Sequence, residues 1–243
     1  MIASSSFVLL IAELRRIRQN PAYRLVAFFK TKPFDMKNVF VFAFITSVIF
    51  LSCKGKGGSK STDTNTDSTT VTISKDSQLI LLTKAILTDL KNKDYTSFAT
   101  YIHPTEGVRF SPYAFVDSTF NILLPKDRFE TIIKSGADQK LQWGEMDGTG
   151  DPILYTVPEY FDDFVYDADF LNPEKRSVNE FIGGGSMINN LETFYPGADF
   201  TESYFSGFDK KYDGMDWKSL RLVFKKVDDK YYLVAVIHDE WTI

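Results

Sequence analysis

The chain has 243 residues and only two histidines, His103 and His238. Histidine is the side chain that titrates near neutral pH, so it is the first residue type to weigh as a general acid or base. His103 opens HPTEGVRFS (103–111), which brings Glu106, Arg109 and Ser111 within nine residues of it. Two readings of these residues compete. In the first, His103, Arg109, Ser111 and His238 meet at one rim of the fold. There they line a pocket for an anionic or hydroxylated ligand. The catalytic version is a small-molecule hydrolase or isomerase in which His103 or His238 is the general base, oriented by a carboxylate. In the second reading His103 caps a helix end and Arg109 pairs with Glu106 or a nearby Asp. No spacing joins a nucleophile, a histidine and an acid into a triad, so no residue is assigned as catalytic. The expectation is a helix-to-strand joint that borders a pocket.

Other stretches carry weaker signals. In EMDGTGDP (145–152), Glu145, Asp147 and Thr149 alternate before Gly150, as in the opening of a calcium loop. The twelfth position from Glu145 is Thr156, where a bidentate Glu is required, so a hairpin turn is expected instead. EYFDDFVYDADF (159–170) holds Asp162, Asp163, Asp167 and Asp169 among aromatics. It reads as an amphipathic segment with its acids in water. GGGSM (183–187) has no following Lys and no preceding buried strand, so it is a flexible loop rather than a phosphate-binding one. Trp143, Trp217 and Trp241 are read as core residues. The single cysteine, Cys53, excludes an intramolecular disulfide and a cysteine-based zinc site. No metal site and no cofactor are expected.

These side chains need elements to position them. SQLILLTKAILTDLKNK (77–93) places Leu79, Leu82, Ile86, Leu87 and Leu90 at helical spacing, with Asp76 or Ser77 as cap. Asp94 caps a second helix, DYTSFATYI (94–102), which Pro104 helps to stop. GVRFSPYAFV (107–116) alternates as a strand. PKDRFETIIKS (125–135) and PEYFDDFVYD (158–167) read as helices, and KLQWGEMDGTGDPILYTV (140–157) as two strands about a turn. The rest is β-rich: ADFTESYFSGF (198–208), WKSLRLVFKK (217–226), a turn at VDDK, and YYLVAVIHDEWTI (231–243). That last strand is apolar on both faces from Tyr231 to Ile237, so it belongs at the centre of a sheet. Helices first and a meander last indicate an α+β fold.

The N-terminal part reads as an address. MKNVFVFAFITSVIFLSC (36–53) has a basic start at Lys37 and an apolar run from Val39 to Leu51, too short for a membrane span of ~20 residues. Its LSC ending resembles the lipobox of bacterial lipoproteins, which implies acylation of Cys53 and membrane attachment through it. Residues 36–52 are then a signal peptide. Residues 1–35 are an upstream extension outside the native chain if Met36 is the initiator; a true cytoplasmic extension is the alternative. KGKGGSKSTDTNTDSTT, within 53–75, cannot bury a core and is expected to be a flexible tether. Residues 76–243 form one domain. Residues 1–52 carry seven Lys+Arg and two Asp+Glu, which leaves 21 and 30 of the chain's 28 and 32 for residues 53–243. A domain this acidic is a poor partner for a phosphate backbone, so no nucleic acid is expected.

ILTDLKNKDYTSFATYIHP resembles the paired opening helices of NTF2-like (cystatin-related) domains. Such domains fold a curved antiparallel sheet around the helices and leave a conical pocket. IHPTEGVRFSPY, WGEMDGTGDPI, GFDKKYDGMDWKSLRLVF and LVAVIHDEWTI are similar to an uncharacterised family of secreted bacterial proteins and lipoproteins, over roughly residues 78–243. The resemblance implies N-terminal helices packed on a curved antiparallel sheet and brings no activity with it. The expectation is a lipid-anchored protein of the bacterial cell envelope, outside the cytoplasm. Its role is expected to be non-enzymatic, with a small molecule or an envelope protein as partner. The histidine-based enzyme is the alternative, and a purely structural envelope protein the third reading.

Overall fold

The computed structural model describes residues 73–243. The stretch expected to be a signal peptide, Cys53 and the expected tether up to residue 72 lie outside the described residues. Helix α1 (Lys75–Lys91) starts at Ser74, whose Oγ accepts the Ser77 N–H at 3.2 Å. Asp76 is therefore not the cap but an acid in the first turn, where the helix dipole favours it. Leu79, Thr83, Ile86, Leu87 and Leu90 are buried, a stripe at the period of an amphipathic helix. Asp94 caps α2 (Tyr95–Ala99), its Oδ1 accepting the Ser97 N–H at 2.9 Å. The chain then touches the last strand, where the Leu233 N–H donates to Tyr101 O and the His103 N–H donates to Leu233 O.

A turn at Gly107 leads into β1 (Val108–Ser111). Gly107 has φ +72° and a Cβ there would stand 2.5 Å from Leu124 O, so only glycine fits. Strand β2 (Leu123–Leu124), α3 (Lys126–Lys134) and the hairpin of β3 (Leu141–Glu145) and β4 (Pro152–Tyr155) follow. Helix α4 (Val157–Phe164) begins with a capping box between Thr156 and Glu159. Next come β5 (Lys175–Val178), the short α5 (Leu191–Phe194), β6 (Asp199–Phe205), β7 (Lys218–Val227) and β8 (Lys230–Glu240).

The fold is α+β, with a six-stranded sheet in the order β2-β1-β8-β7-β6-β5 and the separate β3–β4 hairpin. The sheet is mixed rather than antiparallel as expected, because β1 pairs parallel with β8 through Arg109↔Ala235 and Ser111↔Ile237. No hairpin joins those two strands, so nothing in the local chain forces them to run oppositely. Strand β1 is also shorter than the alternation predicted. It ends before Pro112, which has no N–H for the ladder, and the Ser111 side chain folds back on the following loop at Tyr113 O. Neither β5 nor α5 was foreseen from the sequence.

Strand β8 is central, as its apolarity on both faces predicted, and each face has its own cover. On one face Phe110, Leu220, Leu222, Phe224 and Val236 join the stripe of α1, with Phe98, Trp143, Tyr160 and Phe161, in the main core. On the other, Phe200, Val223, Ala235 and Ile237 pack with Val116, Leu191 and Tyr195. The main core is dense in rings: Trp143 stacks on Tyr160 at 4.1 Å, and Phe110 sits edge-on to Trp143 at 5.2 Å. Each buried ring is worth ~1.5–3 kcal/mol by area, and each well-set ring pair adds ~0.5–1.5 kcal/mol. These rings fill the space between helices and sheet where a conical pocket would open.

Candidate functional site

The four residues singled out in the sequence do not form one site. His103 is 4% exposed, and its Nδ1 accepts the Glu106 N–H at 2.9 Å and the Thr105 N–H at 3.3 Å. It holds the turn 103–107 in shape and meets the Tyr232 ring edge-on at 5.9 Å. It is a joint, as the structural reading held, and it sits beside Leu233 near the start of β8. His238 lies five residues further along that strand, ~16 Å away at ~3.3 Å per residue. Its partner across the ladder is Leu220, so it faces the main core and touches the edge of Phe164. Arg109 and Ser111 pair with Ala235 and Ile237, which alternation puts on the opposite face. The shared pocket fails on both counts: strand length separates the two imidazoles, and the pleat separates His238 from Arg109.

Ser111 is buried, with its hydroxyl between Tyr113 O at 2.7 Å and Asn121 Oδ1 at 3.0 Å, so it ties a loop. Arg109 differs. Its Nη1 donates to Asn121 O at 2.6 Å, and its guanidinium stands 5.4 Å from the Phe194 ring centre. The expected pair with Glu106 is absent, because Lys225 takes that carboxylate at 2.7 Å. Among the described residues Arg109 has no carboxylate partner. It lines a concavity of about 240 Å³ with Glu106, Lys225, Phe194 and Tyr195. Burial pushes the Tyr195 hydroxyl above its ordinary pKa, while the Arg109 charge beside it acts to lower it.

Two charged clusters were missed. Around His238 stand Asp167, Lys218 and Glu240. His238 Nε2 is 3.3 Å from Asp167 Oδ2, and Lys218 pairs with both Asp167 and Glu240. Burial acts to lower the Lys218 pKa, but the Asp167 and Glu240 carboxylates outweigh it and hold it above the ordinary value. On the other face Arg221 bridges Glu202 at 3.0 Å and Asp239 at 2.9 Å. Glu202 also accepts the Ile182 N–H at 2.7 Å, the Gly183 N–H at 3.1 Å and the Ser219 hydroxyl. Burial raises the Asp239 carboxyl above its usual range, against the pull of Arg221. The signals in the sequence were Arg221, a charge set between Leu220 and Leu222, and Asp239, two residues past the apolar run of the last strand.

That second cluster corrects the reading of GGGSM as a free loop. Gly183 is buried and bonded to Glu202, and a Cβ on it would stand 2.9 Å from the Trp217 ring. EMDGTGDP is the hairpin turn expected, closed by the Met146 N–H to Asp151 O at 2.8 Å. Asp162 and Asp169 pair with Lys93 and Lys91 at the surface, whereas Asp167 turns inward. Trp143 and Trp217 are core, but Trp241 is 47% exposed. No family model matches this chain, and no curated protein or solved structure matches it.

Proposed function

We propose that the protein is a lipid-anchored, extracytoplasmic binding module whose domain takes up a small anionic group at Arg109. The observation that carries this is a guanidinium without a carboxylate partner that opens on a concavity of about 240 Å³. A second cation, Lys225, stands at its wall and is partly neutralised by Glu106. A planar guanidinium with free donors suits a carboxylate or a phosphate group, and Phe194 offers an apolar flank. The concavity lies on the outer face of the sheet, not within the ring-filled core. The enzyme alternative needs a histidine that faces a cavity. His103 and His238 are both buried, and neither lines the concavity at Arg109 or those at residues 206–216 and between α2 and α3.

An NTF2-like fold is supported by the helical pair ahead of a sheet whose inner face they cover, and the anchor by the only cysteine closing an apolar run. Titrating the purified chain with inorganic phosphate and with acetate, followed by backbone amide shifts, tests the binding reading. Shifts grouped at Arg109, Tyr195 and Lys225 that vanish in Arg109→Gln are expected. Shifts scattered over surface lysines, equal in both proteins, would remove it. Fatty-acid labelling lost in Cys53→Ala tests the anchor, and an unlabelled wild type would end that part.

A further inference from the structure

The surroundings of His238 contain an electrostatic conflict. Its Nδ1 lies 3.2 Å from the carbonyl of Pro112, which only accepts, so Nδ1 carries the ring proton. That leaves Nε2 of the neutral ring as a bare lone pair. Nε2 faces Asp167 Oδ2, another acceptor, at 3.3 Å. Both Nε2 and Asp167 Oδ1 are sealed from water without a hydrogen-bond partner. Such a pair holds a positive charge between its two atoms, either a second ring proton on Nε2 or a bound cation. Lys218 supplies one ammonium, yet it is shared with a second carboxylate, Glu240.

We propose that Asp167, His238 and Glu240 are the ligands of a divalent first-row metal cation of the zinc class. One ligand atom from each residue lies within 4.8 Å of the other two. Zinc ligands at ~2.0–2.1 Å stand ~3.3 Å apart at a tetrahedral angle, which is the present spacing of His238 and Asp167. An imidazole with two carboxylates selects zinc-like ions over calcium or magnesium, which take all-oxygen sets. The Pro112 carbonyl does what an outer partner of a metal-bound histidine does, fixing the tautomer and turning Nε2 to the ion. A divalent ion neutralises both carboxylates and releases the Lys218 ammonium. Lys218 has a way out, since its side chain and that of Glu240 are 25% and 31% exposed. Three protein ligands leave the fourth position toward that opening, for water or an exogenous donor.

The test is a Co²⁺ titration of the full-length chain carrying Cys53→Ser, which removes the only thiol. One Co²⁺ per chain is expected, with the visible bands of a four-coordinate site, displaced by Zn²⁺. Lys218→Met removes the competing ammonium and tightens binding roughly tenfold, and Glu240→Gln weakens it by about the same factor. His103→Gln leaves the titration unchanged. With only two histidines, imidazole ¹⁵N spectra of the wild type give a readout that needs no substitution of a buried ligand. Zn²⁺ moves the His238 Nε2 resonance and leaves His103 in place. The proposal is overturned if neither the parent chain nor Lys218→Met binds Co²⁺ stoichiometrically. It is overturned equally if Zn²⁺ binds while His238 stays unshifted, or if both His238 nitrogens keep protons that Zn²⁺ does not displace.

Discussion

The end of the β7–β8 pair carries a charged cluster on each face, built from neighbouring rungs. Lys218↔Glu240 and Leu220↔His238 present one cluster, and Ser219↔Asp239 and Arg221↔Ile237 the other. Arg221, Glu202 and Asp239 are sealed, and Glu202 is further held by two backbone N–H groups and a hydroxyl. Lys218 and Glu240 reach water, whereas His238 beneath them is sealed and Asp167 is only 8% exposed. Both clusters hold one cation between two carboxylates. The difference lies in the cover: the 181–186 segment closes one, while the other ends at the rim. A sealed cluster is a fixed part of the fold, and one at a rim can exchange its cation.

The largest expected effect falls on the sealed side. Arg221→Met leaves Glu202 and Asp239 buried without their cation and should cost about 3–5 kcal/mol in chemical denaturation. A loss below ~1 kcal/mol would mean that this side is not sealed. Gly183→Ala should cost about 1–3 kcal/mol, since the new methyl must push the Trp217 ring. Faster hydrogen exchange at the Ile182 and Gly183 amides should accompany it. At the rim, Lys218→Met should cost about 1–3 kcal/mol, less than Arg221→Met, because it leaves Asp167 largely buried without its cation while Glu240 still reaches water. Salt should blunt the Lys218 effect and leave that of Arg221 unchanged.

The smallest effect gives a scale for a half-covered carboxylate. Burial acts to raise the Asp199 carboxyl, but hydrogen bonds from Lys75, Asn179 and Tyr231 outweigh it and leave it below the ordinary value. A carboxyl depressed in the folded state adds stability above its unfolded pKa of ~3.9, and that stability is lost as pH falls through the folded value. Asp199→Asn should therefore lower stability by a constant amount above pH ~5, converge with the wild type in acid, and so flatten the acid limb of the stability curve. An unaltered acid limb would show that Asp199 is not held by these partners.

Helix α1 and strands β7 and β8 were legible because each meets its surroundings through a periodic face. Leu79 to Leu90 repeat at helical spacing, and Tyr231 to Ile237 are apolar throughout. The register of β1 was not legible, since its partner lies over a hundred residues away and no turn records the pairing. Strand β5 carries Lys175, Arg176 and Ser177, an edge strand with no apolar face to mark it. Asp167 was hidden among equivalents. Nothing local separates it from Asp162 or Asp169, and only the end of α4 at Phe164 lets the chain swing it inward. His103 was readable as a joint, but its place along β8 was not.

The parallel pairing of β1 with β8 also sets the order of assembly. Both neighbours of the central strand are synthesised before it, and they share no rung with each other. Closing β1 onto β8 spans most of the domain, a non-local contact of the kind that slows folding. The sheet's midline thus stays open until β8 has left the ribosome.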